Sequence, residues 1–214
     1  MPTNIIPASE LLLETDLLRA LPVQDRSNKR LTALLDAAAA IIHRHGYEEL
    51  TTAAVAKEAG ASIGTVYRYF EDRVSLLKAL ATRNYERTSV TVAAALAAAR
   101  PLTPSAAVPV VFETYLSLFR TELGYRSLRT GDVLDIRPDE SIPGTRRTVD
   151  ALLTNFETHY DFTRTEKIAM TLEIGIVSID ALLARAFRNS ETGEEEFIAP
   201  ARAVAAAAAR DIAQ

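Results

Sequence analysis

The stretch Thr52 to Glu71 reads T-A-A-V-A-K-E-A-G-A-S-I-G-T-V-Y-R-Y-F-E, and it sets hydroxyl, phenol and guanidinium groups at close spacing. Val66 and Phe70 lie one helical turn apart and can be buried together, which leaves Thr65, Tyr67 and Arg68 to face outward. Groups of this kind donate hydrogen bonds to oxygen and nitrogen acceptors. An arginine fork can pair with O6 and N7 of a guanine for about 1–3 kcal/mol of discrimination. Hydroxyl and phenol groups hold phosphate oxygens. The chemistry expected of this stretch is recognition of duplex DNA.

The elements that must position these groups are legible nearby. Thr52 is expected to cap a first short helix, its hydroxyl accepting from an otherwise orphan amide. Ala56 is small and lets a second helix cross close by. Gly60 can turn left-handed after the first helix, Ser62 can cap the second, and Val66 faces back. A small residue, a glycine four later and an aliphatic six beyond it suit two short helices crossing near a right angle. Upstream, a helix is expected from about Asn28 to His45, with the apolar stripe Leu31, Leu34, Leu35, Ala38 and Ile42. Arg26, Lys29 and Arg30 stand at its start. Gly46 ends it, and Tyr47 and Leu50 can tuck beneath. Three helices thus close a small domain near Phe70.

At 214 residues, with 48% hydrophobic and 24% charged residues and abundant alanine, the chain suits a helical protein with a sizeable core. It has no cysteine, so disulfides and thiolate metal sites are excluded. Glu10, Glu14 and Asp16 interrupt Ile5 to Leu21, and no basic start precedes it, so a signal peptide is not expected. No apolar run is long enough to span a bilayer. A cytoplasmic location is expected.

The net charge is −4, but it is unevenly spread. Arg26 to Arg87 holds ten Lys/Arg and seven Asp/Glu, a balance of +3, so the remainder carries −7. A mildly basic third on an acidic body fits a DNA reader with a second, different domain.

Residues 1–25 read as an extension, with Ser9 before a short amphipathic helix from Glu10 to Ala20 and Pro22 as its stop. Asp72 is expected to cap a long helix, Arg73 to Ala99. Another follows from Thr103 or Ser105 to about Glu122, with Pro109 as a possible kink. Tyr125 to Ile142 is mixed. Pro143 to Tyr160 reads as helix, with Val149, Leu152, Leu153 and Phe156 on one side. The next helix starts at Thr163 or Thr165 and ends near Asn189. It carries two apolar stripes: Ile168, Leu172, Ile176, Ile179 and Leu183, and then Met170, Ile174, Val177 and Ala181. Two apolar faces need two burial partners. After Gly193, an alanine-rich helix from about Glu194 to Ala213 places Ile198, Ala201, Ala205, Ala208 and Ile212 on one side. The fold class expected is all-α.

Ser27 to Leu80 resembles the DNA-binding domain of the tetracycline-repressor (TetR) family of bacterial regulators. The resemblance is carried by A-A-A-A-I-I-H-R-H-G-Y-E-E-L-T-T at 37–52, V-A-K-E-A-G-A-S-I-G-T-V-Y-R-Y-F at 55–70 and D-R-V-S-L-L at 72–77. It covers about a quarter of the chain. Arg73 stands where lysine is commoner, Val74 where an acid is common, and Glu71 where proline, glycine or a basic residue is usual.

The resemblance implies a helix-turn-helix domain over 26–71, followed by a helical effector-binding and dimerisation domain over 72–214. It implies a homodimer whose recognition helices enter successive major grooves, ~34–36 Å apart. Carried over by position, Thr52, Tyr67 and Arg73 would hold phosphates, and Ser62, Thr65 and Arg68 would lie at or near base edges. Arg26, Lys29 and Arg30 would reach phosphate or the minor groove. The body would hold an unidentified small-molecule effector, with Tyr85, Phe112, Tyr115, Phe119, Phe156, Tyr160 and Met170 as candidate contacts and His159, Glu173 and Asp180 as polar ones. The last two long helices would make the dimer. The candidates are Ile168, Leu172, Ile176, Ile179 and Leu183 on one and Ala201, Ala205, Ala208 and Ile212 on the other. Such a protein would be a repressor released from its operator when the effector binds.

Two other readings stand beside it. An enzyme would need a site, and the residues offer none: His43 and His45 are two apart and point to different sides, no H-E-x-x-H occurs, and no glycine loop cradles phosphate. No metal or cofactor is expected. A dimeric helical module that binds a ligand or protein without specific DNA binding is the remaining alternative.

Overall fold

The computed structural model describes residues 25–122, 124–126 and 144–213, and among these it is all-α, with eight helices and no strand. The leader helix expected at Glu10 to Ala20 lies outside the described residues, as does most of Tyr125 to Ile142. The chain forms two compact units. The first is Met1–Arg87 with Leu123–Arg137, and the second is Thr88–Glu122 with Pro138–Gln214.

In the first unit, α1 (Asp25–His45) begins three residues before the expected start. Its stripe is buried as the periodicity requires, from Leu31 and Leu34 through Ile42. Ala37, Ala39 and Ile41 are buried too, so α1 is covered on more than one face. The amide of Gly46 closes on the carbonyl of Ile42 at 2.9 Å, and a 3-10 turn (Tyr47–Glu49) leads to buried Leu50. Then come α2 (Thr52–Glu58) and α3 (Ile63–Tyr69).

The cap of α2 differs from expectation. Thr51 is the N-cap, its hydroxyl accepting from the Ala54 amide at 3.0 Å, and Thr52 is the first helical residue. Either threonine satisfies the chemistry, and the register of the first turn selects the earlier one. Gly60, at φ 60°, turns the chain between the helices. Asp72 caps α4 (Arg73–Ala99) as expected: the Ser75 amide donates to the Asp72 carboxylate at 2.7 Å, and the Asp72 amide donates to the Ser75 hydroxyl at 3.0 Å. Leu76, Leu77, Ala79 and Leu80 join the core of α1 to α3. The division between units therefore falls inside α4, at Arg87/Thr88, rather than at its start.

In the second unit, α5 (Pro104–Thr121) is capped by Thr103 and runs on through Pro109. It is followed by α6 (Gly144–His159), α7 (Glu166–Ala186) and α8 (Glu195–Ile212). The tightest packing here is α7 on α8, then α5 on α8 and α6 on α7. Aromatic rings fill the seam, with Phe119 edge-on to Tyr115 at 5.3 Å and tilted against Phe187 at 5.4 Å. An exposed ionic lattice ties α6 to α7: Arg146 reaches Glu166 at 3.1 Å and Glu173 at 3.4 Å.

Candidate nucleic-acid interface

The recognition element is built from its buried side outward. Val66, Tyr69 and Phe70 are at most 2% exposed and anchor α3 in the core. Tyr69 is thereby a packing residue. The N-terminus of α3 is held by Ser62, whose hydroxyl accepts from the Thr65 amide at 3.1 Å and lies 2.9 Å from the Thr65 hydroxyl. The outward face then carries exposed Ser62, half-buried Thr65, Tyr67 at 45% exposure and exposed Arg68. Among the described residues Arg68 makes no hydrogen bond or ion pair, which leaves its five donors available there.

Thr52 is half-buried at the start of α2, and its hydroxyl donates to the Tyr67 phenol across 3.3 Å. Two residues expected to touch phosphates are therefore neighbours. On α1, Lys29 and Arg30 are exposed, and Arg26 lies in the first turn. Arg44 on α1 pairs with Glu58 on α2 at 2.7 Å, which braces the two helices.

Arg73 departs from expectation. Its guanidinium donates through Nη2 to the carbonyl of Tyr47, and its buried Nε has no partner among the described residues. It fastens the start of α4 to the 3-10 turn. Spacing placed it correctly at the helix start, but spacing is blind to a carbonyl 26 residues upstream. Ile63 is the residue the sequence reading missed. It shares the spacing of Val66 and Phe70, yet it is 44% exposed because it sits in the first turn, beyond the neighbouring helices. An exposed aliphatic group beside Thr65 can meet a thymine methyl.

The candidates for the effector and the dimer are dispersed. Phe112, Phe119 and Phe156 are buried packing residues. The Tyr115 hydroxyl donates to Asp180 at 2.8 Å, Tyr160 sits edge-on to Phe156 at 6.0 Å, and Glu173 is held by Arg146. Tyr85 is half-buried and belongs to the first unit, and His159 ends α6. Met170 stands on the outside of α7 at 49% exposure. A shallow open groove of about 620 Å³ lies between α4 and α5, lined by Thr91, Ala95, Val110 and Glu113 among others, and none of the expected contacts lines it.

The sequence leaves open which stripe of α7 meets a partner, and the two differ in exposure within the protomer. Leu172 and Leu183, expected to face a partner, are buried inside the protomer, and Ile168, Ile176 and Ile179 are half-buried. Ala201, Ala205, Ala208 and Ile212 of α8 are likewise buried within the protomer. The open stripe is the other one, Met170, Ile174 and Val177, at 49%, 59% and 52% exposure. Periodicity reveals both stripes, but the neighbouring helix decides which one is covered.

Residues 34–80 match the family of bacterial regulatory proteins of the tetR type, and residues 102–208 match the tetracyclin repressor-like C-terminal domain. A TetR-family transcriptional regulator from Streptomyces coelicolor has a similar structure, with a TM-score of 0.71 and 30% identity over 86% of this chain and 99% of that one. The fatty acid degradation regulator FadR from Bacillus halodurans shares the fold, with a TM-score of 0.60 and 16% identity over 83% of this chain and 94% of that one. The HTH-type transcriptional repressor KstR of Mycolicibacterium smegmatis is 40% identical over 78 residues, which is 36% of this chain and 38% of the repressor. Both halves of the chain, and a relative aligned along nearly its whole length, agree: the chain belongs to the TetR family of bacterial regulatory proteins.

Proposed function

We propose that the protein is a homodimeric transcriptional repressor that reads an operator with α3 and releases it when a small molecule binds the second unit. The observation that carries this is the outward face of α3. Tyr67 and Arg68 are exposed on a helix whose other side is locked by Val66, Tyr69 and Phe70, so the readers are rigidly presented. Arg68 reads a base edge, Tyr67 holds a phosphate, and Lys29 and Arg30 add phosphate contacts. Ile63 adds apolar contact. Arg73 acts by holding the helix start.

The dimer forms through the open stripe Met170, Ile174 and Val177, which leaves the buried stripe to the protomer's own core. Three exposed aliphatic side chains in one row are a surface that a second copy can cover. Among the described residues no helix is long and apolar enough to cross a membrane, and no group of histidine and acidic residues is arranged to hold a metal ion. The protein acts in the cytoplasm.

Selection of bound duplexes from random DNA tests the reading. The expected product is a two-fold symmetric motif with half-sites about one helical turn apart, bound ever more weakly as salt rises. A purified protein that enriches no sequence and ignores duplexes at low salt would overturn it.

A further inference from the structure

The outward face of α3 carries a glycine that the protein itself does not require. Gly64 is exposed and has an ordinary helical backbone, unlike Gly60 in the preceding turn, whose φ of 60° favours glycine. A β-carbon placed on Gly64 would meet, among the described residues and outside its own helix backbone, only the Ser62 hydroxyl oxygen at 3.8 Å. That is ordinary contact, so alanine fits the fold at this position. Glycine there also costs stability, because it leaves the unfolded chain more freedom than alanine does. Neither the course of the chain nor its packing accounts for the residue, so its reason lies outside the protein.

The neighbours show what stands outside. Helical residues four apart share a face, so Gly64 lies one turn before Arg68, and Ile63 lies one turn before Tyr67. Tyr67 and Arg68 are exposed, and Ile63 is 44% exposed. The surface of α3 thus has bare backbone at Gly64, an aliphatic side chain beside it and two hydrogen-bond donors a turn further on. Bare backbone admits the close approach of a partner. Ile63 offers that partner apolar surface and no hydrogen bond. In the major groove the matching group is the C5-methyl of thymine.

We propose that Ile63 and Gly64 form a specificity-determining step on α3, which closes on one base pair and seats its thymine C5-methyl against Ile63. The missing side chain at Gly64 sets the distance, and Ile63 reads the methyl group. Arg68 reads a nearby pair by hydrogen bonds, so each half-site is recognised by two different chemistries. The inference rests on the repressor reading above and adds to it the identity of a second base.

The test uses the full chain and the duplex recovered by selection, with fluorescence anisotropy for binding and thermal melting for the fold. Each thymine of a half-site is replaced in turn by deoxyuridine, which removes the methyl group alone. In the unaltered protein one such replacement is expected to weaken binding about fivefold or more. Ile63→Ala is expected to bind more weakly than the parent and to lose the response to that replacement. Gly64→Ala is expected to melt about 1–4 °C higher than the parent and yet to bind duplex about tenfold more weakly. A Gly64→Ala variant that melts lower shows that the glycine serves the fold, and it overturns the proposal. So does a Gly64→Ala variant that binds as tightly as the parent, or an Ile63→Ala variant that still senses the methyl group. A parent that binds duplex but ignores every deoxyuridine removes the step and leaves the repressor reading intact. A parent that binds no duplex removes both.

Discussion

The hydroxyl of Thr52 donates to the phenolic oxygen of Tyr67 across 3.3 Å, while its neighbour Thr51 caps the same helix. Two adjacent threonines therefore have separate tasks. Because Thr52 gives its proton to Tyr67, the phenol keeps its own proton to donate outward. Thr51→Ala is expected to lower stability by about 1 kcal/mol in denaturant titrations. Thr52→Val should leave stability nearly unchanged and weaken operator binding by about 0.5–1.5 kcal/mol. Its effect should shrink in a Tyr67→Phe background, and strict additivity in that double-mutant cycle would refute the relay.

Arg68 and Lys29 are expected to separate specificity from charge. Arg68→Ala should cost about 1–3 kcal/mol and relax the preference at one base pair of each half-site. Lys29→Ala should weaken all sequences alike and reduce the salt slope by about one. Fluorescence anisotropy against a panel of single-base operator variants checks both. A uniform loss in Arg68→Ala would place it on the backbone.

Arg73 should behave as a structural residue. Its bond to the Tyr47 carbonyl holds the start of α4, so Arg73→Ala should cost about 1 kcal/mol or more of folding stability. The salt slope of DNA binding should not change. A slope reduced by about one would restore it as a phosphate contact.

Glu86 gives the molecule a pH dependence. It is 8% exposed, among the described residues neither carboxylate oxygen has a hydrogen-bond partner, and burial pushes the carboxyl up to about 7 from its ordinary 4.5. The folded state thus holds the proton more tightly than the unfolded chain does. The stability this proton confers is complete below the ordinary value and is lost as pH rises through about 7. Melting temperatures of the parent should therefore fall between mildly acidic and mildly alkaline buffer more than those of Glu86→Gln. Parallel curves would contradict this.

The two stripes of α7 should respond oppositely. Ile174→Asp, at a position 59% exposed, should leave the protomer folded and shift sedimentation from dimer to monomer. Leu183→Ala, at a fully buried position, should cost about 2–5 kcal/mol of stability. A dimer that survives Ile174→Asp unchanged would move the interface elsewhere.

Local physics was written plainly in the order of residues. The caps at Ser62, Asp72, Thr103 and Thr165, the turn at Gly60 and the buried pair Val66 and Phe70 all follow from interactions within a few residues, and the helices appear where these signals lie. So does the exposure of Tyr67 and Arg68, which is what remains once the buried side of α3 is assigned. Longer-range matters were not legible. Whether Arg73 extends or bonds back depends on the Tyr47 carbonyl, and which α7 stripe is covered depends on its packing against other helices. The tight seat of Gly124 on Ala39 joins residues far apart in the chain, and Glu86 loses its water only when the molecule closes around it. Periodicity reports that a face is apolar or a group polar. What that face or group meets is a property of the folded packing alone.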